Sequence, residues 1–504
     1  MSAPVAPTSP ARPSRQLQFG VFFQGVNSST VWNVPEAGSQ TDFESFRHLA
    51  QTAERGLFAA FFLGEGLRLR EHLGHVHDLD VVGRPDAQTM LAALAQVTSK
   101  IGLVATQNTT YNDPADLAHR LHSLDLLSGG RAAWNIVTTD NAWTGENFRR
   151  GGYLDHADRY THAEAFVQTA KRIWDSWGAD AIATDGTAPQ WLDRQEIGPV
   201  QHEGQHYTVH YTSRLPRSPQ GRPVLFQAGD SPTGRDFAAR QADVIFSAHN
   251  ALDAALAFRR DITERTVKAG RPADAVKIMP GTEFVLAPTA REAEEKLEWV
   301  RSHQIGPQQA IAYLEQFWGR PLDGYDPEGP LPDIGPAVAE TDVTRGSGFQ
   351  GANAVELTAA WRHEAAEKGQ NILQFVRERS SRGASRTFSG SYADVADRLA
   401  EYARLGAVDG FNITPWLIPS GLDDIVNHLV PELQERGVYP TEYSGDTLRE
   451  HLGLDWPGEG HSHGDGDSDD RAAGAALDGA RAAIGNGSAP EDHDAGRSPQ
   501  PVTT

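Results

Sequence analysis

Short apolar runs recur along the chain, each bounded by turn residues and each followed by a stretch whose apolar positions repeat at helical spacing. The runs are Leu17 to Phe23, Leu57 to Leu63, Ile101 to Thr106, Ala132 to Val137, Pro223 to Gln227, Val244 to Ser247, Ile278 to Leu286 and Gly410 to Thr414. They are apolar throughout instead of alternating, as strands covered on both faces must be. Between the first two runs, Phe43, Phe46, Leu49, Ala50 and Ala53 mark one helix face, and Gly56 is placed to stop it. Eight strand–helix alternations predict the α/β class and, within it, a (β/α)8 TIM barrel.

Two long insertions interrupt the alternation. One covers about residues 178–222, around Trp191 and His206; the other covers about 302–389, with GYDPEGPLPDIG and a helix expected from about Ala354 to Arg379. Segments of this length are expected to build lids or substrate walls on one face of the barrel. Residues 1–15 are rich in Pro, Ser and Ala and read as a disordered leader. From Pro457 the chain turns to Gly, Ala, Asp and Ser, with nine acidic against three basic side chains. Such a segment buries too little apolar surface to offset its ordering entropy and reads as a disordered acidic tail. The ordered barrel is therefore expected over residues 16–456.

Composition narrows the chemistry. The 504 residues carry 45 Lys+Arg against 67 Asp+Glu, a formal charge of -22, which disfavours nucleic acid as a partner. There is no cysteine, so disulfides, thiol nucleophiles, iron–sulfur ligation and cysteine zinc sites are excluded together. No stretch has the roughly 20 apolar residues a membrane span needs, and the N-terminus lacks a signal peptide's apolar core, so a cytoplasmic protein without a membrane partner is expected. The sequons at Asn27, Asn108 and Asn412 then read as chance matches. His72, His75 and His77, beside Glu71 and Asp78, fit no known zinc spacing and read as loop residues, so no metal site is expected.

In a barrel of this kind the site lies at the C-terminal ends of the strands. The residues there are Gln24, Gly25 and Asn27; Gly64, Glu65 and Gly66; Thr106, Gln107 and Asn108; Asn135, Thr138, Thr139 and Asp140; and Gly229, Asp230 and Ser231. Small residues, amides and hydroxyls dominate over acids, bases and nucleophiles. That set suits hydrogen-bonding a flat, heteroatom-rich ring, and so a cofactor-dependent reaction. In PVLFQAGDSPTGRDFAARQA the strand ends at Ala228-Gly229, Ser231 is placed as N-cap and Pro232 opens a helix. The backbone N–H groups of Asp230 to Gly234 and the Ser231 hydroxyl could seat a phosphate, or Ser231 could simply cap its own helix. GSGFQG at Gly346 to Gly351 follows no strand and reads as an insertion loop. Trp134, Trp174, Trp177 and Trp416 read as core.

FGVFFQGVNSSTVW, FLGEG, VATQNTTYNDPADLAHRLHSLDLLSGGRAAWNIVTT, NFRRGGYLDHADRY, FQAGDSPTGRDFAARQADVIF, GYDPEGPLPD and DGFNITPWLIPSGLDDIVNHLVPELQERGVY together resemble the bacterial luciferase-like superfamily. More narrowly they resemble its nitrilotriacetate, EDTA, dibenzothiophene-sulfone and long-chain-alkane monooxygenase branch. The resemblance spans about residues 16–456 and implies a (β/α)8 oxygenase that takes FMNH2 from a separate NAD(P)H:flavin reductase. It also implies oxygenation of a small organic substrate through a C4a-peroxyflavin, with C–N or C–S cleavage among the outcomes, and a homo-oligomer. Position by position it implies Glu65 and Thr106 beside the isoalloxazine, Asn135 at its polar edge, and His156, Tyr160 and Ser231 at the FMN phosphate, next to Gly229 and Asp230. Asn108 and Asn135 are the catalytic candidates. Many relatives carry a His-containing loop after the first strand and then Trp-Arg-His-Pro; here Trp32, Asn33, Val34 and Pro35 stand instead. Gln24, Asn27, Ser28 and Asn108 are left to line that wall, implying a substrate held by neutral hydrogen bonds. A deazaflavin (F420) oxidoreductase and a non-catalytic flavin-binding barrel are the competing readings.

Overall fold

The computed structural model describes residues 16–457 apart from 24, 28, 70, 73–74, 77–82, 140–141, 146, 149–157, 183–190, 338–343, 346–353 and 383–386. Eight parallel strands form its centre: β1 (Gln18–Phe23), β2 (Ala60–Leu63), β3 (Gly102–Asn108), β4 (Ala132–Val137), β5 (Val224–Gln227), β6 (Val244–Ser247), β7 (Lys277–Ala287) and β8 (Gly410–Ile413). Each pairs with the next, β8 pairs with β1, and no edge remains: a closed (β/α)8 barrel, as the alternation predicts.

The helices follow from the same pattern. α1 (Phe43–Arg55) buries Phe46, Leu49, Ala50 and Ala53 and ends at Gly56. α2 (Ala87–Ala95), α3 (Pro114–Leu127), α4 (Asp158–Trp174), α5 (Pro232–Gln241) and α6 (Leu252–Lys268) complete the ring as far as β7. Along each strand, odd and even residues part company. Phe19, Val21, Phe61, Leu63, Leu103, Trp134 and Phe411 face the helix layer. Phe62, Val104, Ala133, Phe226, Val244 and Met279 fill the lumen with Phe22 and Phe246, leaving a void of about 10 Å³ beside Gly20 and Asn412. The lumen is thus a packed core, and its N-terminal end is stoppered by Leu448 and Leu452 around a one-turn helix that Thr447 and Glu450 cap reciprocally. Trp134, Trp174, Trp177 and Trp416 are all buried, and each indole N–H donates to a backbone carbonyl.

The insertions depart from expectation in two ways. The described part of the first forms a hairpin, Val200–Glu203 with Thr208–Tyr211, laid along α3 and α4 on the barrel's flank instead of a wall at the mouth. Its side chains are matched to that flank, with the Tyr207 hydroxyl meeting Thr169, Tyr211 meeting His119, and Arg172 donating to Gln201 O. β7 is followed by α7 (Ala290–Gln304), and the second insertion builds α8 (Pro307–Trp318), α9 (Ala354–Lys368) and α10 (Ile372–Arg382). The single helix expected from Ala354 to Arg379 is two, because Gly369 adopts a left-handed conformation (φ 63°) and the Asn371 carboxamide caps the next helix by accepting from Gln374 N–H. Trp318, Phe317, Trp361 and Phe375 give α8 to α10 a core of their own. A strand the apolar pattern did not reveal, Thr387–Ser391, then pairs with the upper half of β7, and α11 (Tyr392–Leu405) leads to β8. Its sequence, TFSGS, is too polar to read as a buried run. No described helix is long and apolar enough to cross a membrane.

Candidate active site at the barrel mouth

Glu65 follows β2 and Asn108 ends β3, one strand away. The Asn108 amide donates to both Glu65 oxygens at 3.0 Å, and its own oxygen accepts from Tyr111 N–H at 2.6 Å, which fixes the amide's orientation. Burial pushes the Glu65 carboxyl up to about 7, against the pull of the Asn108 hydrogen bonds toward the ionised form. Asn108 is therefore committed to Glu65 and Tyr111, where the sequence placed it at the substrate wall. One position deeper, on the lumen parity of β3 and β4, the Asn135 amide donates to Thr106 Oγ1 at 3.1 Å. Both side chains are buried, and Asn135 Oδ1 has no partner among the described residues.

The β5 end carries the second half of the site. Ser231 Oγ accepts from Gly234 N–H at 3.1 Å and Pro232 opens α5, so the hydroxyl does cap its helix; its proton remains to donate to an anion. Gly229 and Gly234 face each other beneath Tyr160: a Cβ on Gly234 would lie 2.9 Å from the Tyr160 hydroxyl and 3.1 Å from Gly229 Cα, and one on Gly229 would lie 2.3 Å from Gln227 Nε2. Two bare glycines and a phenol thus meet at a helix N-terminus, a cradle packed closely enough that any added side chain would collide with it. The Asp230 carboxylate faces away from it, paired with Arg235 (2.8 Å) and His249 (3.0 Å), which leaves only its backbone for the cradle. His156 lies outside the described residues.

Glu65, Thr106, Asn108, Asn135, Tyr160, Gly229 and Ser231 therefore occupy one continuous arc of the mouth, β2 to β5. Sequence reasoning passed over Gln227, and named Gly234 only for its backbone N–H. Gln227 Oε1 is buried without a partner among the described residues, and as the last residue of β5 it could have been read as a strand-end residue. The role of Gly234 depends on the approach of Tyr160 and has no local signal. Arg84 was also missed; its guanidinium lies over the lumen-facing ring of Phe22 at 5.3 Å and against Gly64, so the mouth carries charge beside β1 and β2.

The family model of the luciferase-like monooxygenases matches residues 17–409. This chain belongs to that family. Like other luciferase-like monooxygenases it is a flavin-dependent oxygenase. It is 36% identical over 448 residues to N-acetyl-S-(2-succino)cysteine monooxygenase of Bacillus subtilis (strain 168), covering 88% of this chain and 98% of that one. It is 36% identical over 457 residues to nitrilotriacetate monooxygenase component A of Aminobacter aminovorans, with the same coverage. Among solved structures it is similar to a riboflavin lyase solved with modified FMN and riboflavin, with TM-score 0.71, 31% identity, and 88% and 96% of the two chains covered. As a luciferase-like enzyme it fits a flavin on its own residues. The oxygens of Asn135 and Gln227, without partners among the described residues, the Glu65 carboxyl and the N-terminus of α5 lie along one arc, a set of groups that a flavin's ring and phosphate would fit.

Proposed function

We propose that this chain is the oxygenase component of a two-component system: it takes reduced FMN from a separate NAD(P)H:flavin reductase and uses it with O2 to oxygenate a small organic substrate. The observation that carries the reading is the Gly229–Gly234–Tyr160 cradle at the start of α5, in line with Asn135, Thr106 and Glu65. Ser231, Tyr160 and the first backbone N–H groups of α5 would hold the phosphate, where the helix dipole favours negative charge. Asn135 and Gln227 would meet ring heteroatoms with the carbonyl oxygens that lack partners among the described residues. Bound reduced flavin supplies the electrons that activate O2. Glu65, raised to about 7, can hold or release a proton beside that ring near neutral pH, and Asn108 sets its orientation. The helices of the second insertion would exclude water from the mouth. A relative named as a component of a monooxygenase agrees with the separate reductase.

The test is an anaerobic titration with photoreduced FMN, followed by stopped-flow mixing with air-saturated buffer. Tight binding of reduced FMN and slow flavin reoxidation support the reading. Weak binding or immediate reoxidation shifts the weight to a deazaflavin oxidoreductase or a binding protein.

A further inference from the structure

The proposed flavin arc runs from β2 to β5, and the opposite side of the mouth, β6 through β8 to β1, is left to the substrate. On that side β7 continues above the barrel. Met279 and Gly281 face the lumen, and two-residue periodicity puts Glu283 on the same face at the rim. Glu283 is not an isolated acid. Gln304, the last residue of α7, donates to one carboxyl oxygen at 3.1 Å, and Thr387 Oγ1, on the strand that closes the second insertion, donates to the other at 3.1 Å. The same Gln304 amide donates to the backbone carbonyl of Ser29 at 2.7 Å, in the turn after β1. That turn is built around Asn27, whose side chain accepts from Ser29 N–H at 2.7 Å, and Thr30, whose hydroxyl donates to Gly25 O at 3.0 Å. Four segments framing one side of the mouth therefore meet at a single carboxyl and a single carboxamide. From the far side, Arg377 of α10 donates to Ser302 O (3.1 Å) and Ile305 O (2.9 Å), holding the end of α7 that carries Gln304.

We propose that Glu283 and Gln304 are positioning residues for the substrate wall: they tie the Asn27–Ser29 turn and the end of the second insertion to β7, so that the wall is set before substrate arrives. The proposal rests on the flavin occupying the β2–β5 arc. The chemistry suits the role. A carboxyl has about four acceptor positions and takes both donors at once, while a primary carboxamide has two N–H groups and can bridge two acceptors. Burial holds the Glu283 carboxyl up to about 7, with the Arg301 guanidinium on α7 pulling the other way, and neither contact is lost on protonation because the Thr387 hydroxyl can turn to accept from the carboxyl O–H while Gln304 still donates. Shape and hydrogen-bonding capacity, more than charge, make the node.

The test compares Glu283→Ala and Gln304→Ala with Glu283→Gln in the full-length chain by hydrogen–deuterium exchange. In both alanine variants, exchange of peptides spanning Ser29 to Val31 and Thr387 to Ser391 is expected to rise about tenfold, the effect of losing one hydrogen bond that holds a segment closed. Glu283→Gln, which can still accept from Gln304 and donate to Thr387, is expected to stay within about twofold of wild type. With reduced FMN and a generic flavin reductase, the alanine variants should release more hydrogen peroxide per O2 while the dissociation constant for reduced FMN is unchanged. Unchanged exchange in both alanine variants overturns the proposal. So does Glu283→Gln behaving like Glu283→Ala, or a parallel loss of flavin affinity, since that would mark general destabilisation. Thr387→Val, which keeps shape and loses one donor, gives the same comparison should Glu283→Ala fail to fold. If wild type does not bind reduced FMN, the functional reading falls while the exchange result still decides the node.

Discussion

Gly234→Ala tests the cradle most directly. The new Cβ would sit 2.9 Å from the Tyr160 hydroxyl, where ordinary contact begins at 3.4 Å, and 3.1 Å from Gly229 Cα. The backbone at Gly229 has little room to yield, so the Tyr160 hydroxyl must retreat by about half an ångström. A phenol hydrogen bond to a charged phosphate contributes about 1.5–3 kcal/mol, so its loss should weaken binding of reduced FMN by roughly 10- to 150-fold. The same substitution lies in α5, where Ala is favoured over Gly by about 1 kcal/mol, which offsets part of the crowding. Tm should therefore stay within a few degrees while the dissociation constant rises. Tyr160→Phe should cost a similar amount, and because both changes remove one interaction, the double variant should be no worse than the more damaging single one. Anaerobic titration of the four proteins with photoreduced FMN, beside thermal unfolding, measures this. Affinity within twofold of wild type in Gly234→Ala, or strictly additive losses in the double variant, would refute the reasoning.

Three further outcomes follow from buried groups. Glu65 has a folded pKa raised from its ordinary value to about 7, so ionising it costs stability progressively as pH rises from about 4.5 through 7; Glu65→Gln should gain at most about 3 kcal/mol relative to wild type at pH 8 and nothing at pH 4, read by urea unfolding at the two pH values. His451 is buried against Tyr443 and its pKa is lowered by burial to about 4, so the unfolded chain takes up a proton that the folded chain refuses; stability falls as pH drops from 6.5 toward 4, and His451→Gln should flatten that limb in Tm against pH. Arg131, only 3% exposed, donates to the carbonyls of Ala95, Thr98, Ile101 and Ser128 beneath the barrel; Arg131→Met should strand those acceptors and lower unfolding stability by about 3–5 kcal/mol.

The eight apolar runs locate all eight barrel strands, because a strand buried on both faces cannot alternate and so announces itself locally. The strand-end rule then reaches Glu65, Thr106, Asn108, Asn135 and Ser231 without any contact being known, since the parallel topology delivers every strand end to one face. The Gly369 break in the second insertion and the polar strand at Thr387–Ser391 were less legible: one depends on a single left-handed residue, the other on a partner more than a hundred positions away.

Tertiary structure alone decided what those residues touch. That Asn108 serves Glu65, that Asp230 turns away to Arg235 and His249, that Gly234 must be bare for Tyr160, and that Glu283 and Gln304 join four distant segments are all facts about pairs far apart in the chain. Periodicity reports the environment of one face of one element. A hydrogen bond between strand ends depends on how the barrel closes, and closure is settled by the packing of the whole lumen rather than by any window of sequence.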